Sequence, residues 1–413
     1  MSESPTAETI VIVGAGQAGI QLALTLHRLG YTGRLLLIGE ELHLPYKRPP
    51  LSKAYLAGTV DRASLHVVPQ STLDKAGIEF IGGVAVTHID RAAKQIELGD
   101  GRKFGYDKLA LTTGGRSRPL PLPGADRPNV FLVRTIDNVE ALRLQCVAGK
   151  HVVVVGGGFI GLEMSAVLLK LGVKVTVLEG LPRVLARVTV PEVSAFYERV
   201  HREAGVDLRT NVKIEAFEGE PLITRVRLGD GSYVDADAVI VGIGQIPNTE
   251  LAQAAGLAVD NGIVVDEFAQ TSDPDIVAAG DCSNHLNTFY GQHLRLESVP
   301  NAMEQSRAAA ATLLGKPQPY HAVPWFWSDQ YELKLQMVGL SAGFDQLVLR
   351  GDLQTQRSFC AFYLKDGRLI AADTVSRPQD FMIAKKLVAL RASLDAAQLA
   401  DESVPLKSLL PAA

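Results

Sequence analysis

Two short stretches constrain this chain more than anything else in it. In TIVIVGAGQAG, Gly14, Gly16 and Gly19 stand in G-x-G-x-x-G spacing, and in HVVVVGGGFIG, Gly156, Gly158 and Gly161 repeat it. Each triplet follows a β-branched run that reads as a parallel strand buried on both faces. Each opens a segment with apolar residues at helical spacing: Ile20, Ala23 and Leu24 in the first, Leu162, Ala166 and Leu169 in the second. Gly30 and Gly172 stand where those helices should stop. A second strand follows each helix, RLLLIG and VKVTVL, and each ends in or near an acid, Glu40 or Glu179.

The chemistry explains the spacing. The first glycine makes the tight turn, the second lets backbone approach a pyrophosphate, and the third lets helix pack on strand. The helix N-terminus offers N–H groups and the positive end of its dipole to the phosphates. The acid accepts hydrogen bonds from a ribose hydroxyl. One such triplet specifies only a strand–helix turn. Two copies, each with its strand, helix and acid, predict two dinucleotides on one chain.

Three more segments organise the rest. LALTTGGRSRPLPLPG, Leu109 to Gly124, and AVIVGIGQIPNTE, Ala238 to Glu250, read as the two chain crossings between nested domains. DIVAAGDCS ends a strand at Gly280-Asp281. From Trp325 the pattern changes to short strands with turns such as Asp366-Gly367, then a helix after Arg377-Pro378. The expected fold class is α/β: two nested Rossmann-like dinucleotide-binding domains and a C-terminal α+β domain. The expected boundaries are 1–116 with 247–322, 117–246, and 323–413.

Composition excludes several functions. With 41 basic against 45 acidic residues the net charge is −4, which gives no support to a nucleic-acid binder. The three cysteines, Cys146, Cys282 and Cys360, lie far apart with no C-x-x-C. A disulfide framework, a zinc site and an iron–sulfur cluster on this chain are therefore not expected, and no metal is assigned. The start, MSESPTAETIVIVGAG, has no basic n-region. No apolar run of ~18 residues occurs, so a soluble cytoplasmic protein is expected.

Gly14-x-Gly16-x-x-Gly19, Thr113-Gly114-Gly115, the second glycine motif and Gly280-Asp281 together resemble the pyridine-nucleotide–flavin oxidoreductases of glutathione-reductase-like fold. LPYKRPPLSKAYL, SAFYERVHREAGVDLRT, ESVPNAMEQSRAAA, PWFWSDQYELKLQMVGL and DESVPLKSLL resemble the putidaredoxin reductase type within them, NADH-dependent ferredoxin reductases of bacterial oxygenase systems. The resemblance spans the whole chain. It implies FAD on the first motif and NADH on the second. It implies a 2Fe-2S ferredoxin partner, a haem-thiolate monooxygenase beyond it, and a monomer. It places Ala18, Glu40, Lys53, Val86, Arg134, Asp281 and Val299 at FAD, with Glu40 on the adenosine ribose.

Glu179 favours NADH, because a carboxylate there accepts from a 2′-hydroxyl and repels a 2′-phosphate. Arg183 is either a phosphate acceptor or, preferably, a solvent-facing loop residue. Glu163, two residues past Gly161 and expected on the first helical turn, can reach a nicotinamide carboxamide or pair with Lys53. A Lys53–Glu163 pair would put a cation by the flavin. In LPYKRPPLSK, Pro49, Pro50 and Lys53 stand where disulfide-using relatives carry a thiol pair. Trp325 and Trp327 either shield the flavin or pack between domains. Arg307, Lys334 and Lys407 are candidates for docking an acidic ferredoxin, or are isolated charges. Two other readings remain: the reductase of an aromatic-ring dioxygenase or rubredoxin chain, and a flavin redox sensor.

Overall fold

The computed structural model describes residues 8–411. The leader expectation rests partly on residues 1–7, which lie outside the described residues. The chain divides into two compact units. One comprises residues through Lys47, Arg62–Arg116 and Ile246–Pro324; the other comprises Arg48–Asp61, Ser117–Gln245 and the chain from Trp325 onward.

In the first unit, Thr9–Val13 sits at the centre of a parallel sheet. Its order is Ile276–Ala278, Lys108–Leu111, Thr9–Val13, Arg34–Ile38, Ile78–Ile81. Ile12 stands opposite both Leu37 and Ala110. The central position explains why Ile10, Val11 and Ile12 are wholly buried. The helix Gln17–Arg28 connects the first two strands and packs on the helix Val299–Leu313. Ala309 and Ala310 join Ile20, Ala23 and Leu26 in that core. The helix stops as expected, with Gly30 at φ +86° just beyond its cap.

The second unit repeats the device. Its parallel sheet runs Asp207–Arg209, Lys174–Leu178, His151–Val155, Ala238–Val241, Val130–Leu132. The helix Phe159–Lys170 follows His151–Val155, and Gly172 beyond it has φ +77°. The same unit holds an antiparallel sheet in the order Trp325–Gln330, Leu333–Gly339, Arg368–Val375, Phe359–Lys365, Gln346–Arg350. The helix Pro378–Ala389 packs on it.

Two groupings depart from the expected boundaries, each for a visible reason. The C-terminal sheet clusters with the Ser117–Gln245 lobe because the two share a core. Phe196 meets Phe359 edge-on with centroids 4.8 Å apart, and Arg199 donates to the Leu353 carbonyl at 2.9 Å. The segment Arg48–Asp61, expected with the first domain, clusters there too. Tyr55 donates to Glu140 at 2.6 Å, Arg48 donates to the Arg134 carbonyl at 2.6 Å, and Lys53 pairs with Glu163.

A buried carboxylate lies in the shared core. Asp373 Oδ2 accepts from Thr189 Oγ1 at 2.6 Å and from the Tyr363 hydroxyl at 2.5 Å. Burial pushes its pKa up to about 6, against the pull of those two donors. A carboxyl raised in the folded state stabilises the protein below its unfolded value and loses that contribution as pH rises through the folded one. Asp373→Asn should therefore match the parent below pH ~4 and gain on it by up to roughly 3 kcal/mol above pH ~6, read by denaturant titration across pH. The difference between the two isolates Asp373 from His201 and His285. Burial depresses both histidines to about 4, and they act with opposite sign over the same window.

Candidate cofactor cradles and the Glu163 cluster

The two glycine motifs have one geometry. Gly14 has φ +108°, and a Cβ there would stand 2.2 Å from the Thr112 carbonyl oxygen; Gly156 has φ +106°, and its Cβ would stand 2.4 Å from that of Gly242. These turns take glycine alone. A Cβ on Gly19 would sit 2.0 Å from the Gly14 oxygen, and one on Gly161 2.1 Å from the Gly156 oxygen. The second glycines differ: around Gly16 and Gly158 a Cβ would meet nothing within 4 Å. Both are helix N-caps in extended conformation, and neither helix start carries a side-chain cap. The first-turn N–H groups thus face open space at the positive end of a helix, a cradle for a pyrophosphate. The residues present fit two dinucleotides.

The acids behave differently. Glu40, at the end of Arg34–Ile38, is exposed. Glu179 is held by the Gly157 N–H at 2.6 Å and the Leu181 N–H at 2.7 Å, so its carboxylate is fixed beside the second cradle. Arg183 corrects an expectation. It does not face solvent as a free loop arginine: its guanidinium donates to the Thr189 carbonyl at 2.7 Å, Ser194 Oγ at 2.6 Å and the Ala186 carbonyl at 3.0 Å. Those bonds commit the arginine to its own loop and to the start of the helix Pro191–Ala204 that follows.

Glu163 lies in the second turn of its helix, not the first, and is 2% exposed. Its Oε2 accepts from Lys53 Nζ at 2.5 Å and Ser52 Oγ at 2.6 Å, and its Oε1 accepts from Ser328 Oγ at 2.7 Å. Pro49–Ser52 forms a 3-10 turn that presents both Ser52 and Lys53 to the carboxylate. The Lys53–Glu163 pair suggested from the sequence is present. Ser52 and Ser328 are not flagged by any motif, since a serine's hydrogen bond to a residue over a hundred positions away leaves no local pattern.

The remaining candidates divide between the units. Val86 starts a strand with a register shift before His88, Asp281 follows the positive-φ Gly280, and Val299 opens the helix that Ser298 caps by accepting from the Asn301 N–H at 3.2 Å; all three belong to the first unit. Ala18 is buried, and its carbonyl accepts from Ser306 Oγ at 2.9 Å. Arg134, in the second unit, donates to Gln245 Oε1 at 3.2 Å. Trp325 packs against Phe381, centroids 5.8 Å apart, with Lys385 Nζ 4.9 Å from its ring centre. Arg307, Lys334 and Lys407 are exposed. All three cysteines are buried and unpaired. Burial pushes the Cys146 thiol up to about 12 and raises Cys282 and Cys360 as well, which disfavours the thiolate that disulfide exchange requires.

The contrast between glycines is testable. Gly19→Ala should lower unfolding free energy by roughly 2–4 kcal/mol, because backbone oxygen blocks its Cβ. Gly16→Ala should leave the apoprotein within about 1 kcal/mol of the parent yet weaken FAD retention at least about tenfold, since the new methyl occupies the phosphate position. Denaturation of apoprotein and equilibrium dialysis of flavin separate the two.

Residues 8–306 match the family described as pyridine nucleotide-disulphide oxidoreductase, and residues 325–410 match the reductase C-terminal family. The chain is 48% identical to putidaredoxin reductase CamA of Pseudomonas putida over 98% of its length and 97% of the relative's. It is 41% identical to the anthranilate 1,2-dioxygenase system ferredoxin–NAD(+) reductase component of Burkholderia cepacia, over 98% of this chain and all of that one. The crystal structure of a covalent putidaredoxin reductase–putidaredoxin complex superposes with a TM-score of 0.94 at 47% identity, covering 97% of this chain and 98% of that one. The chain belongs to the pyridine nucleotide-disulphide oxidoreductase family, in the putidaredoxin reductase type that uses FAD and NAD(H) and carries a reductase C-terminal domain.

Proposed function

We propose that this protein is an FAD-dependent NADH:ferredoxin oxidoreductase whose 2Fe-2S ferredoxin feeds a haem-thiolate monooxygenase. The full-length likeness to putidaredoxin reductase carries this reading. The net reaction converts NADH and two oxidised ferredoxins into NAD⁺, a proton and two reduced ferredoxins. Bound FAD supplies the coupling between a two-electron hydride donor and one-electron acceptors. As part of the same proposal, the reaction runs in the cytoplasm and the enzyme acts as a monomer.

The chain's own residues hold and tune. Gly14, Gly16, Gly19 and Asp281 take the FAD phosphates and sugar, Glu40 the adenosine ribose, and Ala18, Val86, Arg134 and Val299 line the same cofactor. Gly156, Gly158 and Gly161 take the NADH pyrophosphate, and Glu179 accepts from the adenosine ribose. Lys53, oriented by Glu163, places positive charge at the flavin ring, where exclusion of water strengthens its field. The segment that carries Lys53 has no cysteine, so the outlet for electrons is an external carrier and not a thiol pair.

A dioxygenase-type ferredoxin is the competing partner, supported by the Burkholderia relative at 41% identity against 48% for putidaredoxin reductase. Reconstitution with NADH and each class of ferredoxin decides between them: faster cytochrome c reduction through the dioxygenase ferredoxin would replace the haem-thiolate reading. Turnover with the true partner should fall steeply between low and high salt while ferricyanide reduction stays level, as expected for docking through exposed cations. Glu179→Ala should bring kcat/KM for NADPH about tenfold closer to that for NADH, measured by steady-state kinetics with both. Lys53→Met should slow flavin reduction by NADH about tenfold and shift the flavin midpoint potential; a variant matching the parent in both would remove Lys53 from the site.

A further inference from the structure

Behind Glu163 lies a row of buried polar side chains that no step of the reaction described above uses. Glu163 Oε1 accepts from Ser328 Oγ at 2.7 Å. Ser328 Oγ accepts from Gln330 Nε2 at 3.3 Å. Gln330 Oε1 lies 2.9 Å from His201 Nε2, and His201 Nδ1 lies 3.0 Å from the Tyr331 hydroxyl. Ser328 and His201 are wholly buried and Gln330 is 1% exposed. Ser328 and Gln330 are two residues apart on the strand Trp325–Gln330, so they share one of its faces. Phe326 shares that face and meets Phe159, on the same helix as Glu163, with centroids 4.6 Å apart.

The chain has one consistent direction. A carboxylate only accepts, so the single Ser328 proton points at Glu163. Ser328 must then accept, which fixes the Gln330 amide with its NH₂ toward the serine and its oxygen toward His201. His201 must donate from Nε2, leaving Nδ1 to accept from Tyr331. Burial supports this assignment by pushing the His201 pKa down to about 4, which keeps the ring neutral with one proton to place. Every bond dipole in the row thus points toward Glu163, and hydrogen bonds aligned in this way polarise one another.

We propose that Ser328, Gln330 and His201 are positioning residues that hold the Glu163 carboxylate in register for Lys53, through a one-way hydrogen-bond chain ending on Glu163 Oε1. They touch no reacting atom and act through the pair. Without the chain, Oε1 is a buried acceptor with no donor, and the carboxylate is free to turn away from Lys53. The effect on the flavin rests on the placement of Lys53 given under Proposed function; the chain's direction does not.

The test uses the holoenzyme and two kinds of readout. Selective ¹⁵N-histidine NMR should show His201, assigned by its loss in His201→Gln, as the Nε2–H tautomer. A Nδ1–H tautomer overturns the chain whatever the flavin does. Ser328→Ala should slow flavin reduction by NADH about tenfold and Gln330→Leu about threefold, the step nearer the carboxylate mattering more. Both should shift the flavin midpoint potential in the same sense as Lys53→Met. Ser328→Thr, which keeps the hydroxyl, should restore most of the loss. If Ser328→Ala and Gln330→Leu match the parent in potential and rate while Lys53→Met departs from it, the positioning role fails and the pair's role stands. If Lys53→Met also matches, both fall. A changed thermal midpoint at an unchanged potential identifies a purely structural chain and overturns the proposal.

Discussion

A carboxylate removed from water must be met by donors on every side, and Glu163 organises much of this protein through that requirement. From its place on the second glycine-motif helix, its two oxygens draw on two distant stretches of chain: the 48–61 segment through Ser52 and Lys53, and the Trp325–Gln330 strand through Ser328. Breaking one partner would leave the others facing an uncompensated charge, an arrangement far more costly than an exposed pair. This explains why a segment that follows the first nucleotide-binding strands in sequence clusters with the second unit in space. It also explains how one lysine comes to be held at a fixed place at the end of a short 3-10 turn.

The twin cradles show the same economy of means. In both, two of the three glycines are demanded by backbone oxygens scarcely more than 2 Å from where a Cβ would stand, and the third by open space. Gly14, Gly19, Gly156 and Gly161 serve the turn, whereas Gly16 and Gly158 carry no such backbone constraint and border open space at the helix start. The copies then diverge at the acid. Glu40 is left exposed, whereas Glu179 is held by two backbone N–H groups, with the nearby Arg183 committed to its own loop and the following helix. The arginine's hydrogen bonds thus leave the Glu179 carboxylate without a salt-bridge partner in Arg183.

Much of this was readable in the sequence. The strand, triplet, helix, strand and acid of each cradle are contiguous, and their spacing follows from covalent geometry, so Gly14 to Glu40 and Gly156 to Glu179 announce themselves. The C-terminal strands are legible as short runs punctuated by the Asp366-Gly367 turn, but not their order or antiparallel pairing. The Lys53–Glu163 pair is suggested by two separate cues: the resemblance puts Lys53 at FAD, and Glu163 stands two residues past Gly161. Arg183 departs from expectation because whether a loop arginine faces water depends on acceptors, here two carbonyls and the Ser194 hydroxyl, that no local pattern encodes. Glu163 falls in the second turn and not the first because the helix begins at Phe159, and helix starts shift by a residue or two.

Taken alone, then, the sequence determined the two dinucleotide cradles, the absence of a thiol pair in the 44–53 segment and the order of the elements, because each depends on residues close together in the chain. Tertiary structure alone decided that Ser52, Ser328, Gln330 and His201 converge behind one carboxylate, that Asp373 is buried with Thr189 and Tyr363, and that the C-terminal sheet shares a core with the second cradle. Those contacts join residues that are distant in sequence and individually ordinary. Buried polar groups are satisfied by whatever side chains packing brings within reach, and only the folded chain specifies which those are.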